Sequence, residues 1–176
     1  MTLPIRKKAM IATERLILKP YASEDVDGLV DLLINPEITR TFMVPDYQSR
    51  EQMETLAKKL IAFSQTEDTE HLEYGIYLDG KIIGFVNDCG IVNDENEIGY
   101  VIHPDHQGHG YATEAVLAII HELQEMGFHK VACGYFVENS ASRRVMEKCG
   151  MHQTSFTSEE MYRGELHRCH YCELCL

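Results

Sequence analysis

The stretch Gln107-Gly108-His109-Gly110-Tyr111-Ala112-Thr113 constrains this chain more than any other. It follows a strand-like segment that ends at His103-Pro104, and it opens a long helix whose inner face would carry Ala112, Val116, Ile119, Ile120 and Leu123. A glycine-bearing turn at a helix N-terminus presents backbone N–H groups that no helical carbonyl satisfies. Those donors and the positive end of the helix dipole suit a phosphate or pyrophosphate. The third glycine of a dinucleotide-binding fingerprint is missing, and no Gly-Lys-Ser/Thr of a P-loop follows.

The pattern on either side predicts one α/β domain with a mixed sheet. Alternation around Leu16 and Leu18 predicts a strand over 13–20, and Ser23 is the expected cap of a helix bearing Val26, Leu29, Val30 and Leu33, stopped at Asn35-Pro36. A second amphipathic helix is expected over 49–63. Strands follow over 71–78, 81–89 and 95–103, the first two joined by the hairpin signal Asp79-Gly80. After the long helix (110–126) come a strand over 130–137, a short helix over 139–149, and strands over 152–162 and 165–176 joined at Arg163-Gly164. The order is βααβββαβαββ, with the sheet covered on both faces. Residues 1–12 read as an N-terminal extension and 13–176 as the domain.

Composition narrows the partners. With 28 acidic against 16 basic residues, the formal net charge is −12, which argues against nucleic acid and anionic membranes. It suits solubility, or a cationic acceptor. No apolar run is long enough to span a bilayer, and Arg6, Lys7 and Lys8 have no apolar stretch behind them, so neither a membrane span nor a secretory signal is expected. A cytoplasmic monomer or homodimer is the expectation.

Cys169, Cys172 and Cys175, beside His167 and His170, have the look of a metal cluster. On a strand, however, Cys172 points away from the other two, and no second cluster with zinc-site spacing exists. No metal is expected.

The Gln107-x-x-Gly110-x-Ala112 pattern resembles the pyrophosphate motif of the GNAT superfamily of N-acetyltransferases. The segment from Glu97 to Pro104 resembles the strand that precedes it there, and Asn139-Ser140-Ala141-Ser142 with Glu147-Lys148-Cys149-Gly150-Met151 resembles the second signature. The element order from 13 to 176 is similar too. Arg15-Leu16-Ile17-Leu18 and Ser142 are similar to the Rim-type subgroup, which acetylates N-termini of ribosomal proteins.

The resemblance implies acetyl-CoA as donor, held in a splay between strands 97–103 and 130–137. The main chain of Tyr100, Val101 and Ile102 would face the pantetheine arm, with Asn139 and Ser142 beside it. Gln107, Gly108, His109, Gly110, Tyr111, Ala112 and Thr113 would take the pyrophosphate. Glu97 is the candidate general base, on one strand face with Gly99 and Val101 and opposite Ile98, Tyr100 and Ile102. As an alternative it is an exposed strand-end carboxylate. Glu95 and Asp88 are weaker alternates. The family's usual proton-donating tyrosine falls on Met146, which cannot donate. Ser142 is the substitute acid and Tyr171 the reserve, unless the thiolate leaves unaided. His103, His106 and His109 are expected near phosphate or solvent, without catalysis.

Three functions follow from the resemblance: acetylation of a protein N-terminal α-amine; acetylation of a small cationic amine such as a polyamine, aminoglycoside or amino-acid derivative; or a non-catalytic acetyl-CoA sensor.

Overall fold

The computed structural model describes residues 8–67 and 71–176. They form one eight-stranded sheet in the order β1-β2-β3-β4-β5-β6-β8-β7. The strands are β1 (Ile11–Ala12), β2 (Ile17–Lys19), β3 (Glu73–Leu78), β4 (Lys81–Val92), β5 (Glu95–Ile102), β6 (Lys130–Phe136), β7 (His152–Tyr162) and β8 (Glu165–Cys175). The helices are α1 (Val26–Ile34), α2 (Pro36–Thr39), α3 (Arg50–Gln65), α4 (Tyr111–Glu125) and α5 (Ser140–Lys148). Only the β5–β6 pair is parallel, because α4 carries the chain from one to the other.

Each sheet face has its own core. Ile98 and Ile102 of β5 pack with Val116, Ile119 and Leu123 of α4 and with Met146 of α5. Val101 of the same strand joins Phe85 and the α1–α3 residues Leu29, Leu33, Met53 and Ile61. The face assignment expected for β5 is therefore the one observed. Cys172 likewise lies in the α4/α5 core, whereas Cys169 packs with Phe136 and Tyr162 in a cluster that Tyr171 adjoins.

Most of the expected elements form within a few residues of their expected ends. The first strand differs. Instead of running through 13–20 the chain reverses at Thr13, whose N–H donates to the Leu16 carbonyl (2.9 Å) and whose hydroxyl donates to Glu114 (2.6 Å). β1 then pairs back on β2, so the last two residues of the expected N-terminal extension belong to the sheet; residues 1–7 of that extension lie outside the described residues. Ser23 does not cap α1. It lies inside a single 3-10 turn, Ser23–Asp25, where the Asp25 carboxylate accepts from the Ala22 N–H (2.8 Å) and the Tyr77 hydroxyl (2.5 Å). Asn35, expected to end a helix, also starts one: its side chain accepts from Glu37 N–H at the head of α2, with Pro36 next in line.

Candidate active site

The parallel pairing of β5 with β6 covers only Glu95 to Glu97 against Lys130 to Ala132. Beyond Glu97 the two strands part, and the β5 backbone from Ile98 to Ile102 turns an unpaired edge toward the gap. A cleft of about 870 Å³ occupies this fork. Its lining includes the β5 residues Tyr100, Val101 and Ile102, and also Gln107, Gly108, Gly110, Tyr111, Ala112, Thr113, Asn139, Ser142 and Glu97. The residues read from the sequence as cofactor-binding thus converge on one cavity. His109 is the exception. It does not line the cleft: its ring stacks on Tyr111 at 5.6 Å, and its carbonyl faces Arg15.

The loop is built by backbone conformation. Gly108 and Gly110 hold φ of +79° and +82°, a region L side chains rarely occupy. A β-carbon on Gly110 would meet nothing closer than the Arg15 guanidinium at 3.5 Å, so torsion rather than space demands this glycine. No side-chain hydrogen bond caps α4, which leaves its first-turn N–H groups free for a ligand. Gln107 fastens the loop to the strand, its Nε2 donating to the Ile102 carbonyl (2.9 Å).

Arg15 does not line the cleft but clamps its loop, a contact the sequence reading missed. Its Nε donates to Glu114 (2.7 Å), its Nη1 to the His109 carbonyl (2.8 Å), and its guanidinium lies 4.6 Å from the centre of the Tyr111 ring. Burial would raise the Glu114 carboxyl, but hydrogen bonds from Thr13, the Arg15 amide and the Arg15 side chain outweigh it and hold it below the usual carboxylate range. No local motif signals this clamp, because its partners are 99 residues apart.

On the α5 side, Asn139 caps the helix by accepting from the Ser142 N–H (3.1 Å). Tyr100 donates its hydroxyl hydrogen to the Ser142 carbonyl (3.0 Å), and its oxygen lies 2.9 Å from Ser142 Oγ. One arrangement satisfies both contacts: Tyr100 gives its hydrogen to the carbonyl and Ser142 gives its own to Tyr100. The side chain of Tyr100, and not only its main chain, therefore belongs to the site. Met146, at the position of the family's tyrosine, is buried in the core.

The opposite sheet face holds Glu97. Burial pushes its carboxyl above the usual range. Glu97 and Tyr171 flank Gly134: a β-carbon there would lie 2.8 Å from the Tyr171 ring and 3.4 Å from Glu97 Oε1. Cys89 opens onto the same cleft from a β-bulge, where it is the extra residue between the pairs Asp88↔Ile98 and Gly90↔Glu97. The residue is exposed, but protein packed around its sulfur and the nearby Glu97 carboxylate push its thiol up, which disfavours the thiolate. The alternates to Glu97 are engaged elsewhere. Asp88 accepts from the Leu72 N–H, and Glu95 pairs with Lys130 (2.9 Å); neither lines the cleft.

Charge is divided along the cleft. Helix α5 contributes Arg144 and Lys148 and the loop His106, whereas Glu37, Glu97, Glu138 and Glu160 line it elsewhere together with Arg40. Among the described residues no group of His, Cys, Asp and Glu is placed to hold a metal ion, and no helix is long and apolar enough to cross a membrane.

Comparison with known proteins agrees with this architecture. The chain is 26% identical over 160 residues to YoaA of Bacillus subtilis, an uncharacterized N-acetyltransferase, covering 88% of this chain and 89% of the relative. Its fold superimposes on RimL, a ribosomal L7/L12 α-N-protein acetyltransferase in complex with CoA, at a TM-score of 0.79 and 17% identity, covering 95% and 98% of the two chains. It also superimposes on the microcin C7 self-immunity acetyltransferase MccE, in complex with acetyl-CoA and AMP, at 0.78 and 19%, covering 93% of each. Residues 15–152 match the acetyltransferase (GNAT) domain, and the chain belongs to that family of acetyltransferases.

Proposed function

We propose that this chain uses acetyl-CoA to acetylate the N-terminal α-amine of a protein. The observation that carries the reading is the fork itself: an open strand edge leads from an uncapped helix N-terminus to a half-buried carboxylate. These residues fit the donor. The N–H groups at residues 111–113 and the cations Arg144 and Lys148 suit its phosphates, and the β5 backbone edge at Tyr100 to Ile102, of which Gln107 holds the Ile102 carbonyl, suits the amides of its pantetheine arm. When bound, acetyl-CoA supplies an activated acetyl thioester.

The chain's own groups prepare the acceptor. An α-amine has a pKa near 8 and is mostly protonated at pH 7. Glu97, made more basic by burial, takes its proton, directly or through one water, and frees the lone pair for attack. Ser142, on the other side of the fork, is the proton donor for the departing sulfur: its hydrogen rests on Tyr100 in the free site and turns to the thiolate, a charged and stronger acceptor, as that forms. An α-amine needs only such a modest base, and RimL, which acts on the α-amine of ribosomal L7/L12, shares this fold.

One observation favours a second reading, a small cationic amine: four glutamates line the cleft away from the phosphate end. The deciding experiment incubates the protein with acetyl-CoA and a panel of peptides with free α-amines, polyamines, aminoglycosides and amino acids, and weighs the products by mass spectrometry. Peptides gaining an acetyl group at the α-amine support the first reading. Acetylated small amines alone would move it to the second, and bound acetyl-CoA with no product would leave a sensor.

A further inference from the structure

Beside Glu97, on the same face of the sheet, three polar side chains form a chain of hydrogen bonds that the mechanism above does not use. The Tyr171 hydroxyl lies 2.9 Å from Ser158 Oγ, and Ser158 Oγ donates to Glu160 Oε1 at 3.4 Å. Tyr171 and Glu160 both line the cleft. The Tyr171 ring is held from two sides. The Phe156 ring packs against it at 5.1 Å, and on β6 Gly134 leaves room where any side chain would collide.

Counting hydrogens fixes the polarity of this chain. A carboxylate only accepts, and a serine hydroxyl has one hydrogen to give. A charged acceptor binds that hydrogen more strongly than a neutral phenol would, so Ser158 turns it to Glu160. Ser158 then receives the Tyr171 hydrogen in its own lone pair. The phenol's hydrogen is then consumed along the sheet, which leaves its other lone pair for a group in the cleft that Tyr171 lines.

We propose that Tyr171 is an acceptor-binding residue whose oxygen takes a hydrogen bond from an N–H of the incoming amine, with Ser158 and Glu160 as positioning residues that set its polarity. This role differs from the one expected of Tyr171 on the sequence, that of reserve proton donor to the thiolate. The phenol's hydrogen is engaged by Ser158, and its ring stands on the Glu97 face beside Gly134, across the sheet from Ser142. It is, however, correctly polarised to orient a nucleophile whose own lone pair must point at the thioester. Glu97 and Tyr171, on either side of Gly134, then share the work: one removes a proton, the other steers the N–H that stays.

The inference rests on the α-amine reading, and the test separates the two. The probe is CoA joined through its sulfur by a CH2CO bridge to the α-amine of a serine-initiated peptide, so that the bridging amide keeps one N–H. Calorimetry compares its affinity with that of CoA alone, without any turnover. The parent should bind the conjugate more tightly than CoA. Tyr171→Phe and Ser158→Ala should each lose roughly fivefold to tenfold of that gain, as expected for one hydrogen bond, with CoA affinity and melting temperature unchanged. Glu160→Ala should lose as much, while Glu160→Gln, whose amide oxygen still accepts, should keep most of the gain. A parent that gains nothing from the peptide overturns the α-amine reading and the inference with it. A parent that gains and a Tyr171→Phe variant that gains equally overturns the inference alone.

Discussion

The Gly134→Ala substitution tests the geometry of the fork with one methyl group. Its β-carbon would sit 2.8 and 3.2 Å from two carbons of the Tyr171 ring and 3.4 Å from Glu97 Oε1. Carbon atoms in ordinary contact are about 3.5–4.0 Å apart, so the ring must retreat by roughly 0.8 Å. The backbone at Gly134 has no left-handed torsion to protect, and alanine gains about 0.4–1 kcal/mol by restricting the unfolded chain. Overpacking costs typically about 1–3 kcal/mol, toward the lower end here because the half-exposed ring can shift toward solvent at the expense of its Phe156 and Ser158 contacts. The two terms nearly cancel, and the melting temperature should move by no more than about 2–4 °C. Activity should not be spared. A shift of about 1 Å in a substrate-positioning group costs up to about 100-fold, so kcat/KM for the acceptor should fall at least about tenfold while CoA affinity stays put. The assay is product mass spectrometry at several acceptor concentrations, with calorimetry for CoA. Adding Tyr171→Ala to Gly134→Ala should relieve the melting shift without restoring turnover. A folded Gly134→Ala enzyme with parental kcat/KM would falsify the placement of Tyr171 at the acceptor.

Substitutions at three other positions separate the remaining roles. Gly110→Ala forces an L residue into φ +82°, a strain of about 1–2 kcal/mol, and should weaken acetyl-CoA binding about 5-fold to 30-fold by calorimetry. Because space is not limiting there, Gly110→Leu should behave much like alanine, and a far worse leucine would show that clearance is what the glycine provides. Arg15→Gln releases the His109 carbonyl and Glu114 and should weaken CoA binding with little effect on acceptor KM; unchanged CoA affinity would reduce Arg15 to a surface contact. For Glu97→Gln the sign follows from burial. The folded carboxyl holds its proton to a higher pH than the unfolded one, so ionising it costs stability as pH rises above the ordinary carboxylate range of about 4.3. The variant should therefore melt higher than the parent at neutral pH, with the difference vanishing below pH about 4. It should also lose the part of the kcat/KM rise with pH that belongs to the carboxyl. A variant that melts no higher and keeps the parental pH profile clears Glu97 of the base role.

Much of this site was legible because its parts are local. The loop announces itself through Gln107, Gly110 and the strand before it, and the turns at Asp79-Gly80 and Arg163-Gly164 are hairpins with positive φ at both residues. Alternation alone placed Glu97 on one face of β5 and Ile98 on the other. What the sequence concealed depends on chain segments meeting from afar. Arg15 reaches across to His109 and Glu114 through a reversal at Thr13 that no hydrophobic pattern encodes. The bulge that aims Cys89 into the cleft is a one-residue change of register, to which period-2 alternation is blind. Tyr171 reads only as a reserve proton donor until Ser158, from the neighbouring strand, is placed beside it. Gly134 gives no signal either, since a strand glycine without a partner in view means only a weak strand.

The fork also gives a reason for where the proposed chemistry is placed. Successive side chains of a strand face opposite ways, so a closed sheet would keep Glu97 and Tyr171 apart from Tyr100 and Ser142. A base and a proton donor on opposite faces can reach one substrate only through an opening in the sheet. The parting of β5 from β6 just after Glu97 is such an opening. Two glycines stand beside it, Gly99 on one strand and Gly134 on the other. At Gly99 a β-carbon would lie 3.0–3.1 Å from Asn87, Cys89 and Phe42, and at Gly134 it would strike Tyr171. Both positions lie on the Glu97 face, the side by which the proposed acceptor enters, so the missing side chains would keep that entrance clear without loosening the core behind it. The opposite face needs no such clearance, because there Tyr100 and Ser142 hold each other across the gap.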